Sequence, residues 1–113
     1  MARVVSIATD LMLASRVDAT LTAAGHHVLL ARTVDDASLD EAEIVVADLE
    51  AASADALGSL EVPVLGYYSH VDAETRQEAE EAGVTLAVPR SRMARELPEL
   101  VERLLGAPPR SNY

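Results

Sequence analysis

A chain of 113 residues is long enough to bury one core without staples and short enough to be one domain. It contains no Cys and no Lys, so disulfides, thiolate metal sites, catalytic amines and Schiff bases are all excluded, and its nine cationic residues are all Arg. The net charge of −10 repels phosphate backbones, and with no Phe or Trp and three Tyr there is no base-stacking platform, so no nucleic-acid partner is expected.

The N-terminal Met-Ala-Arg-Val-Val-Ser-Ile-Ala reaches the acidic Asp10 too soon to hold the apolar region and cleavage site of a signal peptide. No segment approaches membrane-spanning length, so a soluble, cytoplasmic protein without membrane contact is expected. Arg3 to Ala8 reads as a first buried strand. Thr9 or Asp10 then caps a helix from about Leu11 to Ala24, in which Leu13, Val17 and Leu21 recur at helical spacing, and Gly25 stops it. His27 to Ala31 is the second strand, which completes a βαβ unit with a right-handed crossover. His26 and His27 fall at the sheet edge opposite the strand C-termini and read as structural.

Thr33 to Glu43 is acidic and short, leaving room for a turn or two of helix, and its run Asp35 to Glu43 reads as a solvated face. Ile44 to Ala47 is a short, apolar, β-rich run of the kind that is buried on both faces of a parallel sheet, with Asp48 following at its carboxyl end. Ala51 to Leu60 is another compact crossover, with Ser53 as cap and Gly58 as stop. Val62 to Tyr68 is a fourth strand with Pro63 near its start, where a missing donor is tolerated. Tyr67 and Tyr68 point to opposite faces, which predicts one buried and one exposed ring.

Ser69 to Asp72 forms the next loop, and Asp72 caps a helix from Ala73 to Ala82 that stops at Gly83. Val84 to Val88 is the fifth strand and Pro89-Arg90-Ser91 the loop after it. A last helix runs to Leu105 with Leu97, Leu100, Val101, Leu104 and Leu105 as its apolar stripe; Pro98 either divides it or marks where its regular part starts. No internal repeat or interdomain linker appears, which predicts a domain over 1–105, a flexible tail over 106–113 and no attached output domain.

Five alternating βα units predict an α/β, flavodoxin-like, doubly wound five-stranded parallel sheet of order 2-1-3-4-5 with helices on both faces. That topology brings Thr9 and Asp10, Asp48, Ser69 and His70, and Arg90 to one crevice at the strand C-termini. A carboxylate, a hydroxyl, an imidazole and a guanidinium converge there. The glycine-rich loops that cradle nucleotide phosphates are absent.

On these residues the chain resembles the receiver (CheY-like) domain of bacterial response regulators, over nearly its whole length up to about Leu105. Asp48, in Ile-Val-Val-Ala-Asp-Leu, matches the aspartate that accepts a phosphoryl group from a histidine kinase. Ser69 resembles the hydroxyl that senses the phosphate, and Arg90, spaced from Ala82-Gly83, stands where the family has a Lys. The two acidic positions that bind Mg²⁺ in the family fall on Ala8 and Thr9, with Asp10 one place late. The resemblance thus implies an atypical, stand-alone receiver, not an enzyme, that signals through a protein partner or a histidine kinase. It also suggests a homodimer through the fourth and fifth helical region.

The departures bear on the chemistry. A hard divalent cation needs several oxygen ligands, and the loss of one carboxylate weakens a Mg²⁺ site built on Asp10 and Asp48. Arg90 either holds a phosphate bidentately or locks Asp48 in an ion pair. Asp48 is accordingly a phosphoryl acceptor or an inert strand-end carboxylate, Asp10 a helix cap or a metal ligand. His70 is a ligand or acid–base group, or a loop residue bonded to Asp72 or to backbone. A small-ligand or metal-binding protein on the same fold is the remaining alternative.

Overall fold

Short runs of branched aliphatic residues form β1 (Arg3–Ile7), β2 (His27–Ala31), β3 (Ile44–Asp48), β4 (Val64–Tyr68) and β5 (Leu86–Pro89). The structure, a computed structural model, describes residues 2–35, 39, 41–69 and 73–106. Among these the strands pair in parallel in the order β2-β1-β3-β4-β5, the doubly wound order expected from the alternating pattern. The helices are α1 (Leu11–Ala23), α2 (Ala54–Gly58), α3 (Ala73–Ala82) and α4 (Arg90–Leu105). None of the described helices is long and apolar enough to cross a membrane.

Strand alternation sorts the core into two layers. Val4, Ile44, Val46, Leu65, Tyr67 and Val88 point to the face covered by α1 and α4, where they meet Leu13, Val17, Leu21, Leu97, Leu100, Val101 and Leu104. Val5, Ile7, Val45, Ala47, Val64, Tyr68 and Ala87 point to the other face, against Leu57 of α2 and Ala79 of α3. Both faces of β3 and β4 are therefore covered, and Tyr67 and Tyr68 are both buried, not one of the two. Opposite orientation in a two-sided sheet separates the rings without exposing either.

Several boundaries differ from the sequence reading for local reasons. The ladder of β4 begins at Val64, because the Pro63 carbonyl already accepts from Val45 N–H at 3.0 Å and residue 62 lies before the pairing. β5 begins at Leu86, not Val84, because the Val84 N–H is still closing α3 on the Ala79 carbonyl at 3.1 Å. Asp48 is the last residue of β3 rather than the residue after it. Gly58 ends α2 as its last residue, with Ser59 as C-cap. Between β2 and β3 the described residues contain turns and no helix; 36–38 and 40 lie outside them.

No loop follows β5. Pro89 ends the strand with φ −62° and ψ 149° and serves as N-cap, so Arg90 is the first residue of α4. A proline's fixed φ suits that extended cap, and its missing N–H costs nothing where the ladder ends. α4 kinks at Glu96 (φ −120°, ψ 15°), two residues before Pro98. The ring cannot donate to the carbonyl four residues back, so Pro98 both divides the helix and opens its second, more apolar segment. Leu97, Leu100, Val101 and Leu104 of that segment are buried and Leu105 is half-buried.

Candidate functional site

The central strand carries Asp48 to the C-terminal edge of the sheet. It pairs in register with Tyr67 on β4, and the β1 register, Ile7 opposite Ala47, sets Ala8 on its other side. Alternation turns Asp48 and Tyr67 to the face of α1 and α4, so the start of α4 closes over the carboxylate. Asp48 is 3% exposed. Its Oδ1 accepts the Glu50 N–H at 2.9 Å, and its backbone carbonyl accepts the Ala51 and Ala52 N–H groups at 2.9 and 3.1 Å. These bonds fix the turn out of β3 and with it the direction of the side chain.

Oδ2 faces Arg90, whose Nη2 lies 3.5 Å away. The pair is asymmetric: the Asp48 side chain is 5% exposed and that of Arg90 38%. The Arg90 Nε is buried and finds no hydrogen-bond partner among the described residues; neither does the Tyr67 hydroxyl. Arg90 and Asp48 are thus the two expected site residues that the fold brings into contact.

The other described candidates bond elsewhere, although Asp10 lines one cavity with Arg90. Asp10 Oδ1 accepts from Met12 and Leu13 N–H at 3.0 and 3.2 Å, so it is the N-cap of α1. Thr9 is exposed. Ser69 is exposed, and its hydroxyl donates to Glu50 Oε2 at 2.8 Å. His70 and Asp72 lie outside the described residues, as does the tail from 107 onward. Glu50 was not anticipated from the sequence. Its signal was a second carboxylate two residues past Asp48, close enough to return its N–H to Asp48 while its side chain ties the β3 loop to the β4 loop.

Tyr67 is the second unanticipated neighbour. Burial pushes its phenol well above the ordinary range, the Asp48 carboxylate adds to this, and the Arg90 guanidinium opposes it. The folded state therefore holds the phenol proton more tightly than the unfolded chain does. Above about pH 10 the unfolded chain sheds that proton and the folded one does not, so stability is full below that pH and falls above it, by up to about 1.4 kcal/mol per pH unit. Urea unfolding at pH 9 and pH 11 checks this: Tyr67→Phe should flatten the decline. It should cost little at neutral pH, since the lost hydroxyl has no partner among the described residues. Lys is absent, so no side-chain ammonium adds to the change across that interval.

A hard divalent cation requires about six oxygen ligands. Here Ala8 supplies no side-chain oxygen, Asp10 commits Oδ1 to its cap and Glu50 commits Oε2 to Ser69, and a guanidinium already faces Asp48. Among the described residues no three His, Asp or Glu side chains gather as a metal set. Among the described residues the side chains do not make a set that fits Mg²⁺.

No family model matches this sequence, and no curated protein matches it. Solved structures do match. NtrX from Brucella abortus, in complex with ADP, superposes with a TM-score of 0.79 at 22% identity over 92% of this chain and 26% of that one. The non-phosphorylated receiver domain of HemR from Leptospira biflexa gives 0.79 at 18% identity over 96% and 97%. The BeF3-activated N-terminal receiver domain of Klebsiella pneumoniae RstA gives 0.80 at 15% identity over 93% and 99%. This chain spans about a quarter of the NtrX chain and nearly all of the two isolated receiver domains. In its five-stranded parallel sheet of order β2-β1-β3-β4-β5, the chain has the fold of a response regulator receiver domain.

Proposed function

We propose that this chain is a receiver-type signalling domain that acts in the cytoplasm by protein contact and catalyses no reaction of its own. In this reading the Asp48–Arg90 pair takes the place of a metal-dependent phosphorylation site. The observation that carries it is the guanidinium 3.5 Å from a carboxylate that is 5% exposed, with Ala8 where a metal-binding acid would be needed. A fixed cation supplies at all times the counter-charge that Mg²⁺ supplies only when bound. Ser69 and Glu50 support the same reading, because the hydroxyl donates its hydrogen bond to Glu50 and not to Asp48.

A second reading keeps Asp48 as a phosphoryl acceptor fed by a histidine kinase. It is favoured by the partial exposure of Arg90, which leaves that side chain room to swing aside and take a phosphate bidentately. The two separate on one measurement. The protein is incubated with Mg²⁺ and acetyl phosphate, and its intact mass recorded beside that of Asp48→Asn. In phosphorylation an Asp48 oxygen attacks phosphorus, the P–O bond to the acetyl group breaks, and acetate leaves with the bonding electrons. The ion-pair reading expects no adduct in either protein. An adduct confined to the wild type would replace it with the second reading.

A further inference from the structure

Among the described residues β2 ends the sheet, and its own sequence carries no acid, Lys, Arg or proline guard. Among the described residues it pairs only with β1. The His27 N–H goes to the Ala2 carbonyl at 2.9 Å, and the Ala31 carbonyl accepts the Ala8 N–H at 3.1 Å. Residues 27, 29 and 31 therefore turn their backbone groups toward β1, and Val28 and Leu30 turn theirs outward. Side chains alternate independently through the sheet. Val28 packs in the layer of α1 and α4, and Leu30 shares that face; Leu29, opposite Val5, lies on the other.

Leu29 and Leu30 are 43% and 51% exposed, two of the four large apolar side chains exposed among the described residues. Edge strands are ordinarily protected by charge, proline or a bulge, and His-Val-Leu-Leu-Ala has no Lys, Arg, acid or proline. Charge points the same way. The chain has 19 acidic residues, yet residues 19–34 hold none, and their ionisable side chains are His26, His27 and Arg32. Two copies of a molecule of net charge −10 repel each other over most of their surface, but an approach edge to edge at β2 brings no carboxylate of this segment against another.

We propose that two copies of this chain associate through β2, antiparallel about a two-fold axis at Leu29, joining two five-stranded sheets into one. The register follows from the outward groups. Val28 faces the partner's Leu30 and the two exchange both N–H···O bonds, while Leu29 faces the partner's Leu29 as a non-hydrogen-bonded pair. The axis is normal to the sheet, so Leu30 and the partner's Val28 share the α1 and α4 face, and the two Leu29 side chains meet on the other. The edge is separated from β3 by β1, and the proposal rests on no reading of the Asp48 site.

The test uses the full chain, which lacks cysteine. Sedimentation velocity should show a dimer fraction that rises with concentration. Under mild oxidation Leu29→Cys should form a covalent dimer, since opposed residues of a non-hydrogen-bonded pair have Cα atoms about 4.5 Å apart, within disulfide reach. Leu30→Cys should not, because its counterpart across the axis lies two residues further along, beyond about 7 Å. Position 30 is the more exposed of the two, so accessibility alone predicts the opposite preference. Leu30→Lys should return the protein to monomer with an unchanged thermal melt. A monomer at every concentration, equal cross-linking at 29 and 30 in variants that melt as the wild type does, or a dimer that survives Leu30→Lys would each overturn the proposal.

Discussion

Gly58→Ala is expected to lower stability by about 3 kcal/mol, the upper end of what overpacking ordinarily costs. Gly58 closes α2 against the end of α3, and there is no room at that contact for a side chain. A Cβ on residue 58 would fall onto the carbonyl oxygen of Ala82, 2.7 Å from its carbonyl carbon and 3.0 Å from Gly83 Cα. All three are backbone atoms, so no rotamer change relieves the clash and α2 must shift as a unit. Its grip elsewhere is slight: α2 is five residues long and buries one of them, Leu57, in the layer it shares with α3. Across the contact, Gly83 has φ +117°, and a Cβ there would lie 2.7 Å from the Gly58 carbonyl oxygen. Gly83→Ala therefore meets both a strained backbone and a clash, and is expected to cost a comparable amount. Once the helices have parted for one methyl group the second finds space, so the double variant should lose less than the sum of the two. Urea unfolding gives the energies, and the thermal midpoint of Gly58→Ala should fall by on the order of 10–20 °C. A loss below about 0.5 kcal/mol would mean that α2 slides freely on α3.

That contact also marks where the sequence stops being informative. The strands were legible because short apolar runs bounded by breakers have few other readings, and their order followed from alternation with helices. Gly58 reads locally as a helix stop, yet what requires a glycine is a carbonyl 24 residues later in the chain, which no local pattern encodes. Pro89-Arg90-Ser91 reads as a loop for the same reason. Only the packed start of α4 shows that the proline is a cap and that Arg90 is already helical. In the site, topology was enough to bring Asp48 and Arg90 to one crevice, but it did not rank the hydroxyl of Ser69 between Asp48 and Glu50. The hydrogen bond to Glu50 decides that, through two loops whose mutual geometry is tertiary. Tyr67 was a matter of parity: its register with Asp48 follows from parallel pairing once the pairing is known, and not before.

Arg90→Ala is expected to destabilise the protein by about 2 kcal/mol, and Asp48→Asn in the same background to recover part of that loss. Asp48 is nearly enclosed, and among the described residues its carboxylate is served by one N–H, from Glu50, and by the Arg90 guanidinium. Removing the cation leaves a buried negative charge with a single hydrogen bond, a change that costs about 3–5 kcal/mol when both partners are buried. Arg90 is 38% exposed, so water reaches the space it vacates, and the figure is reduced accordingly. Asparagine can still accept the Glu50 N–H and carries no charge to strand, so the double-mutant cycle should report a coupling of about 1 kcal/mol or more between the two positions. Arg90→Lys separates charge from shape. A lysine ammonium supplies the charge without the planar fork, and it leaves empty the enclosed position that the Arg90 Nε now fills, so it should restore the stability only in part. The same series bears on function. If Arg90 holds Asp48 in a permanent ion pair, Arg90→Ala frees the carboxylate, and the mass measurement with acetyl phosphate can be repeated on it. An Arg90→Ala protein as stable as the wild type, with no coupling to position 48, would mean that the pair holds nothing in place, and the ion-pair reading would lose its physical basis.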